Sequence, residues 1–271
     1  MKSPVRYVGG KSWLVKQLVA EIITADPARY VEPFLGGGAI ALNVPSYIPK
    51  ILSDSNTTLI DMWRCIREAP TALIAELRRL ELSYSHDQTG YLHAREQLNT
   101  MIHVQRPMWI TRAAHFLYIN ARCFNGLWRV NGKGYYNVPW GKIERPSSID
   151  LGEARELSTQ LKNAQLHAGD YWHVLTKFVR LDGAAIYCDP PYDATFDSYT
   201  ADAFGETAQR ELAERLRWCA GQGARVWASN KDTDLIREIY SWAKIETVDE
   251  MHVVGSTGER RGMRGCVLIR S

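Results

Sequence analysis

The stretch that most constrains the fold is an apolar run that ends in an acid and two prolines, Ala184-Ala185-Ile186-Tyr187-Cys188-Asp189-Pro190-Pro191-Tyr192. The run is apolar without alternation and follows the turn dipeptide Asp182-Gly183, a pattern that predicts a buried strand. Neither proline has an N–H for strand pairing, so the strand must end at Asp189. We therefore expect Asp189 and Tyr192 at the carboxyl end of a strand, where open α/β sheets bind ligands.

The residues that end this run have chemistry suited to a flat, neutral amino group. The carboxylate of Asp189 and the carbonyl of Pro190 can both accept its hydrogens, and the ring of Tyr192 offers a stacking face. On the exocyclic amine of adenine, two such acceptors would favour a pyramidal nitrogen and direct its lone pair, which is catalysis by positioning and electrostatics. Taken alone, the same residues fit an ordinary Asp-Pro turn equally well.

Two glycine-rich segments near the amino terminus are candidates for a ligand-binding backbone. Val5-Arg6-Tyr7-Val8-Gly9-Gly10-Lys11 places two glycines beside a lysine that could meet a carboxylate. Residues 30–40 read as a strand, a turn of three glycines and a helix start, and their pattern differs from the dinucleotide and P-loop fingerprints. Asp54 closes a second predicted strand, where doubly wound folds bind ribose hydroxyls, although a helix N-cap is an alternative.

The middle of the chain has a helical period and ends in an aromatic, basic segment. Apolar residues recur at helical spacing from about residue 57 to residue 122. Within residues 123–141, Asn131-Gly132 lies between two aromatic-rich arms, a pattern that predicts a β-hairpin. Arg129 and Lys133 lie on or near its turn, which suits a DNA groove, where arginine reads guanine through two hydrogen bonds. The alternative is a hairpin packed on the body with its aromatic residues in the core.

Charge and cysteine content narrow the class of protein further. The net charge is +3, but residues 1–16 carry +4 and residues 106–145 carry +6, which leaves −7 for the rest. Two basic segments on an acidic body indicate a polyanion-binding surface, with chance clustering as the alternative. The five cysteines form no C-x-x-C pair and no histidine pair has metal-ligand spacing, so we predict neither disulfides nor a metal site. No apolar run approaches the ~20 residues of a membrane helix and no secretory signal opens the chain, so we expect a protein of a reducing cytoplasm without a membrane partner.

Together these motifs resemble those of the Dam-type DNA adenine methyltransferases, which use S-adenosylmethionine (AdoMet) and release S-adenosylhomocysteine. Asp189-Pro190-Pro191-Tyr192 is similar to the signature of amino-group DNA methyltransferases. Residues 7–11 resemble the family's aromatic-x-Gly-Gly-Lys motif, and residues 34–38 resemble its Phe-x-Gly-x-Gly cofactor motif. Residues 116–139 resemble the family's recognition hairpin, with matches at Phe-Leu-Tyr-Ile-Asn, Phe-Asn-Gly-Leu, Arg129 and Asn-Val-Pro.

The resemblance implies a set of site residues. Asp189, Pro190 and Tyr192 would be catalytic, with the first two orienting the adenine amine and the tyrosine stacking on the base. The cofactor residues would be Tyr7, Lys11, Phe34, Gly36, Asp54, Asp170, Tyr171 and Asp189. Asp170 would accept from the adenine amine of AdoMet; as an isolated Gly-Asp turn it would have no such role. The DNA-binding residues would be Arg6, Phe124, Asn125, Leu127, Arg129, Pro139, Arg260 and Arg261.

Within that DNA-binding set the resemblance implies distinct roles. Phe124 would wedge beside the flipped base, and Asn125 would support the gap. Leu127, Arg129 and Pro139 would read the bases of a short palindrome such as GATC. Arg260 and Arg261 lie in a glycine- and arginine-rich loop that suits phosphate contact, which positions a protein on DNA without reading its sequence.

The fold that follows is α/β, a Rossmann-like, largely parallel seven-stranded sheet with helices on both faces and a mostly helical DNA-recognition insertion that carries the hairpin. Residues 1–56 and 166–271 would form the AdoMet-binding catalytic domain, and residues 57–165 the target-recognition domain. Later strands are predicted at 226–230, 253–254 and 266–269. A lid over the target base, or a surface loop, is expected at 193–204.

The implied reaction is methyl transfer from AdoMet to adenine N6 in double-stranded DNA after base flipping. Two other classes stay open: an enzyme of the same fold that modifies cytosine N4, RNA or a protein amide, and a sequence-specific DNA-binding protein without turnover. We expect a monomer, with an oligomer left open, that needs no metal and acts in a bacterial cell. A role in restriction-modification and a host or phage origin stay open.

Overall fold

The computed structural model of the chain describes residues 1–102, 108–144, 147, 149–178, 180–192, 204–248 and 265–271. The strands are β1 (Arg29–Glu32), β2 (Lys50–Asp54), β3 (Ala164–Ala168), β4 (Ala184–Cys188), β5 (Arg225–Lys231), β6 (Lys244–Val248) and β7 (Cys266–Arg270). The helices are α1 (Val15–Thr24), α2 (Thr57–Glu68), α3 (Pro70–Ser83), α4 (Gln88–Met101), α5 (Trp109–Arg122), α6 (Leu151–Gln160), α7 (Tyr171–His173), α8 (Glu206–Gly221) and α9 (Asp234–Ile239). A short 3-10 turn (Phe124–Gly126) follows α5, and a π-helical turn (Val174–Phe178) follows α7.

The seven strands form one sheet in the order β3-β2-β1-β4-β5-β7-β6. The first five are parallel, and β7 runs antiparallel between β5 and β6. From β1 the chain builds outward to β2 and β3, and it later returns to place β4 on the other side of β1. The strand order therefore reverses between β1 and β4, and such a switch point opens a ligand crevice at the carboxyl ends of the strands. The predicted largely parallel, seven-stranded sheet is confirmed.

The predicted strand before the two prolines is β4, and all five of its residues are buried. Ala185 and Tyr187 face one hydrophobic core, while Ile186 and Cys188 face another, because successive side chains of a strand point to opposite faces. Helices α1 and α2 contribute to the first core, and α8 and α9 contribute to the second. Helices on both faces are thus confirmed, and they explain why β4 is apolar without alternation.

The chain between β2 and β3 forms α2 to α6, and the helical period from about residue 57 to residue 122 predicts the first four of these helices. Helix α5 is central to this insertion, since it packs against α2, α3 and α4. Helix α2 packs on β2 and β3, and eight of its twelve residues are buried. The helix therefore belongs to the cover of the sheet as much as to the insertion, and the domain boundary at residue 57 stays a prediction.

Two elements differ from the predictions. After the glycine turn, residues 39–44 form hydrogen-bonded turns and no regular helix. Pro45 accounts for this, because the residue before a proline avoids the helical conformation. Strand β6 was not predicted; its sequence Lys-Ile-Glu-Thr-Val is mostly exposed at the edge of the sheet and gives a weak hydrophobic signal. The strand predicted at 253–254 and nearly all of the predicted lid lie outside the described residues.

Candidate active site

Asp189 directly follows β4, and side chains from two other segments hold its carboxylate. Lys11 Nζ lies 2.9 Å from Asp189 Oδ2, and Ser229 Oγ, on β5, donates to Asp189 Oδ1 at 2.7 Å. Tyr187 Oη lies 2.9 Å from Ser229 Oγ, and it must be the donor, because a serine hydroxyl has one proton. Lys11 is only 3% exposed, so its attraction to Asp189 acts in a medium that screens little. Both carboxylate oxygens are thereby fixed in direction.

Tyr192 lies beside the same ion pair. Lys11 Nζ is 4.7 Å from the centroid of the Tyr192 ring, and the phenol is hydrogen-bonded to Cys266 Sγ at 3.1 Å. Burial, and next the charge of Asp189, raise the pKa of Tyr192, so the phenol stays neutral. The ring is therefore held at one end by β7 and has the Lys11 ammonium over one face.

Two side-chain amides, one from α8 and one from β5, hold the Pro-Pro turn that separates Asp189 from Tyr192. Gln209, on α8, donates to the Pro191 carbonyl at 2.8 Å. The side-chain amide of Asn230, on β5, in turn donates to Gln209 Oε1 at 3.0 Å. Both amides are buried, so this chain of hydrogen bonds fixes the turn rigidly to α8 and β5.

Asp54 holds the glycine turn that follows β1. Gly36 N–H donates to Asp54 Oδ2 at 2.9 Å, and Asn56 N–H donates to Oδ1 at 2.9 Å. Gly36 has φ +48, and a Cβ there would lie 3.0 Å from the ring of Tyr7, so only glycine permits this approach. Burial raises the pKa of Asp54, and its two N–H partners oppose the shift. The N-cap alternative for Asp54 is wrong, because Asn56 caps α2.

Glu32, at the end of β1, is a buried acid that the sequence analysis did not single out. It is 3% exposed, and Tyr30 Oη donates to its Oε2 at 2.7 Å. Burial raises the pKa of Glu32 to about 8; the hydrogen bond from Tyr30 opposes the rise, and the charges of Asp189 and Asp54 add to it. An acid thus lies at or just past the end of each of three adjacent strands, β2, β1 and β4.

An aromatic cluster flanks this crevice on the β3 side. The rings of Phe34 and Tyr171 stack with centroids 5.0 Å apart, and Phe204 packs edge-on to both at 5.7 and 5.6 Å. Asp170 lies just past β3 and accepts from Trp172 N–H at 2.7 Å, which caps α7. A cavity of about 480 Å³ opens here, lined by Asp170, Tyr171, Trp172, His173 and Glu211. A cavity of this size can hold a small-molecule ligand.

Residues 123–141 form the predicted hairpin as an irregular loop. Its arms are joined by isolated antiparallel bridges at Cys123–Trp140 and Val130–Tyr136. The turn is longer than the dipeptide predicts: Asn131 N–H donates to the Tyr135 carbonyl at 2.9 Å, and the residue at positive φ is Gly134 (+79), not Gly132. The hairpin is therefore held by few backbone hydrogen bonds of its own.

Side chains of the hairpin divide between the core and the surface. Tyr136 is buried, and the ring of Trp128 packs on it with centroids 4.9 Å apart. Phe124 and Tyr135 are 48% and 41% exposed. The alternative of a hairpin with its aromatic residues in the core thus holds for Tyr136 but not for the two exposed rings.

Five of the predicted DNA-binding residues lie together at the base of the hairpin. Asn125 has φ +52, a left-handed conformation that asparagine tolerates better than most residues. It turns the chain sharply after α5 and leaves the side chains of Phe124 and Asn125 exposed. Phe124 N–H donates to the Pro139 carbonyl at 3.0 Å, which joins the two arms here. Leu127 is half-buried beside them, and Arg6 reaches the same place from the amino-terminal segment.

Arg129 lies farther along the first arm of the hairpin. Its Nε donates to Asn137 Oδ1 at 2.7 Å across the two arms, and its side chain is half-buried. This bond aims the guanidinium along the hairpin. Arg260 and Arg261, predicted to contact phosphates, lie outside the described residues.

The family model for the D12 class of N6 adenine-specific DNA methyltransferases matches residues 7–254 of the chain. The chain belongs to this family. It is therefore an adenine-specific DNA methyltransferase, and the predicted class of enzyme is confirmed. The matched range contains the glycine turn, the hairpin and the Asp-Pro-Pro-Tyr segment at the strand ends.

Curated relatives of this methyltransferase cover nearly its whole length. It is 31% identical to the Retron Ec67 DNA adenine methylase of Escherichia coli, over 89% of this chain and 81% of that one. It is 30% identical to the DNA adenine methylase of Salmonella typhi, with coverage of 95% and 90%. It is 29% identical to the Type II methyltransferase M.MjaIII of Methanocaldococcus jannaschii, with coverage of 96% and 95%. Among solved structures, the rRNA methyltransferase aviRa from Streptomyces viridochromogenes has a TM-score of 0.32 at 12% identity, with coverage of 94% and 84%.

The structure of this methyltransferase adds two residues to the predicted site. Glu32 ends β1, Ser229 lies in β5 next to β4, and both are buried polar residues. Their signal in the sequence is a polar residue in or at the end of an apolar strand, which becomes informative only once the strand order is known. In the described part of the chain, no group of three or more His, Cys, Asp or Glu side chains is arranged to hold a metal ion, and no helix is long and apolar enough to cross a bilayer.

Proposed function

We propose that the enzyme transfers a methyl group from AdoMet to adenine N6 in double-stranded DNA, after flipping the base out of the duplex, at a short palindrome of the GATC type. The observation that carries the proposal is the position of Asp189. Its carboxylate stands at the carboxyl end of β4, beside the switch point, with Lys11 and Ser229 on its two oxygens and Tyr192 next to it. A base-sized amine donor would meet fixed acceptors there.

The crevice fits a positively charged nucleoside. Asp54 and Asp189, at the ends of β2 and β4, supply negative charge, and Asp54 has the position at which doubly wound folds bind ribose hydroxyls. The stacked pair of Phe34 and Tyr171, with the cavity beside it, would receive the adenine of the cofactor, and Asp170 would accept from its amine. When bound, AdoMet supplies an electrophilic methyl group on a sulfonium.

The chain's own contribution to the reaction is to orient the target amine. A carboxylate has about four acceptor positions, and Ser229 and Lys11 use two of those on Asp189. One remaining position can accept an amine hydrogen, and the carbonyl of Pro190 can accept the other. With both hydrogens bound, the nitrogen lone pair is directed away from the acceptors, and the methylated amine then releases one proton. Such preorganised acceptors lower the barrier because they need not reorient during the reaction.

DNA would bind along the hairpin and the amino-terminal segment. Phe124 and Asn125 project at the base of the hairpin, where they could occupy the gap left by a flipped base. Arg129, held by Asn137, would read a guanine. We also propose that the enzyme acts as a monomer in a reducing cytoplasm, where its five buried cysteines stay thiols.

The product identifies the reaction. The protein is incubated with AdoMet and a duplex that contains one GATC site, and the digested nucleosides are separated by mass spectrometry. We expect N6-methyladenine in this duplex and none in a matched duplex in which the A·T pairs of the site are replaced by G·C pairs. N4-methylcytosine, or a preference for RNA or single-stranded DNA, would contradict the proposal, and duplex binding without any methylation would favour a DNA-binding protein without turnover.

A further inference from the structure

The buried side-chain amide of Asn120, near the end of α5, is hydrogen-bonded to the backbone of the amino-terminal segment. Asn120 Oδ1 accepts from Arg6 N–H at 2.8 Å, and Asn120 Nδ2 donates to the Arg6 carbonyl at 2.8 Å. Asn120 is 6% exposed, so water competes little for these bonds. Because both polar backbone groups of Arg6 are bound by one side chain, α5 sets the position and the direction of the chain at this point.

Two further contacts join Arg6 to the start of the hairpin. Arg6 Nη2 donates to the Cys123 carbonyl at 2.7 Å. Gly126 has φ +68, and a Cβ there would lie 2.6 Å from Arg6 Cβ and 3.0 Å from the Arg6 carbonyl oxygen. A side chain at Gly126 would therefore displace Arg6. We call the set formed by Arg6, Asn120, Cys123 and Gly126 the Arg6 joint.

The Arg6 joint lies between the two proposed binding surfaces. Next to Arg6 comes Tyr7, whose ring packs on Gly36 of the glycine turn, and the same segment continues to Lys11. On the other side, Gly126 directly follows Phe124 and Asn125. Residues separated by more than 110 positions in the sequence are thus fixed to one another at a single point, with the cofactor residues on one side and the hairpin residues on the other.

We propose that Asn120 is a positioning residue that couples cofactor binding to DNA binding through the Arg6 joint, an inference that rests on the proposed function. A cofactor held by Tyr7 and Lys11 restricts the amino-terminal segment, and the joint extends that restriction to the base of the hairpin. Fewer protein residues then have to become ordered when DNA binds, so each ligand binds more tightly in the presence of the other. By linkage the two effects must be equal in size.

The test measures the coupling between the two ligands at equilibrium. The Kd of a fluorescent duplex with one GATC site is measured by anisotropy at one salt concentration, with and without saturating S-adenosylhomocysteine. The ratio of the two Kd values is the coupling factor. We expect a factor of about five or more for the wild type and a factor below about two for Asn120→Ala. Titration of S-adenosylhomocysteine with and without the duplex must give the same factors.

A second asparagine that bonds both backbone groups of one residue provides a matched control. Asn99, on α4, accepts from Tyr136 N–H at 2.8 Å and donates to the Tyr136 carbonyl at 3.0 Å. It grips the other arm of the same hairpin with the same kind of bonds. Asn99→Ala should weaken binding of the duplex but keep the wild-type coupling factor.

Gly126→Ala attacks the Arg6 joint from the hairpin side and should lower the factor as Asn120→Ala does. If Asn120→Ala does not fold, the coupling factor of Gly126→Ala tests the inference in its place. The inference is overturned if the folded joint variants keep the wild-type factor, if Asn99→Ala lowers it equally, or if the wild type binds both ligands with a factor near one. Failure of the wild type to bind the duplex or S-adenosylhomocysteine would overturn the proposed function itself.

Discussion

Ser229→Ala should slow methyl transfer far more than it weakens binding of DNA or of the cofactor. Ser229 is 1% exposed, and its hydroxyl donates to Asp189 Oδ1 at 2.7 Å. A hydrogen bond to a charged group contributes about 1.5–3 kcal/mol. If this hydrogen bond orients the carboxylate in the transition state, its loss should lower the rate of methyl transfer by about 10- to 150-fold, since ~1.4 kcal/mol is a tenfold change in rate.

The assay is single-turnover transfer of a tritiated methyl group to the duplex, with both ligands saturating, so that the rate reports the chemical step. Tyr187→Phe is the matched control. It removes the phenol that donates to Ser229 but keeps the bond from Ser229 to Asp189, and it should therefore lower the rate by less than about fivefold. If Ser229→Ala stays within twofold of the wild type, or if Tyr187→Phe is equally slow, Ser229 does not position Asp189.

Three other substitutions test separate parts of the account. Arg129→Ala should relax discrimination at one base pair by about 1–3 kcal/mol, measured as kcat/KM on duplexes that differ at single positions; unchanged discrimination would refute its reading role. Burial raises the pKa of Glu32 to about 8 from its ordinary value of 4.5, so between these pH values the folded protein retains a proton that the unfolded chain loses. The free energy of unfolding should therefore fall as pH rises through this window. In denaturant titrations at pH 5 and pH 8, Glu32→Gln should show a smaller fall than the wild type; an equal fall in both proteins would contradict the raised pKa of Glu32. Gly36→Ala should weaken binding of S-adenosylhomocysteine by about tenfold or more in calorimetry, because it puts a side chain at a left-handed φ, which costs about 1–2 kcal/mol, and a Cβ 3.0 Å from Tyr7; an unchanged Kd would show that this packing does not support the cofactor site.

The parts of the molecule with local signals could be predicted from the sequence. The strand before Pro190 could be predicted because two prolines end it and because its residues are apolar without alternation. The helices from residue 57 to residue 122 could be predicted because their apolar residues recur at a helical period. The approach of Lys11 to a carboxylate was also expected, and the structure supplies Asp189 as its partner.

The parts that depend on strand order or on distant contacts could not be predicted. Ser229 reaches Asp189 only because β5 lies beside β4, and in the sequence it is one more polar residue of a strand. Asn120 was noted only as part of a motif, since its grip on Arg6 joins residues 114 positions apart. Strand β6 was missed because an exposed edge strand has few apolar residues to mark it.

Asp189 is the centre of the account, and Asp189→Ala tests it most directly. The rate of N6-methyladenine formation is measured in single turnover on the GATC duplex, together with the Kd values for the duplex and for S-adenosylhomocysteine. We predict a rate at least about a hundredfold below the wild type, with the duplex still bound within about tenfold of the wild-type Kd. A variant that methylates adenine within tenfold of the wild-type rate would contradict the claim that this carboxylate orients the target amine.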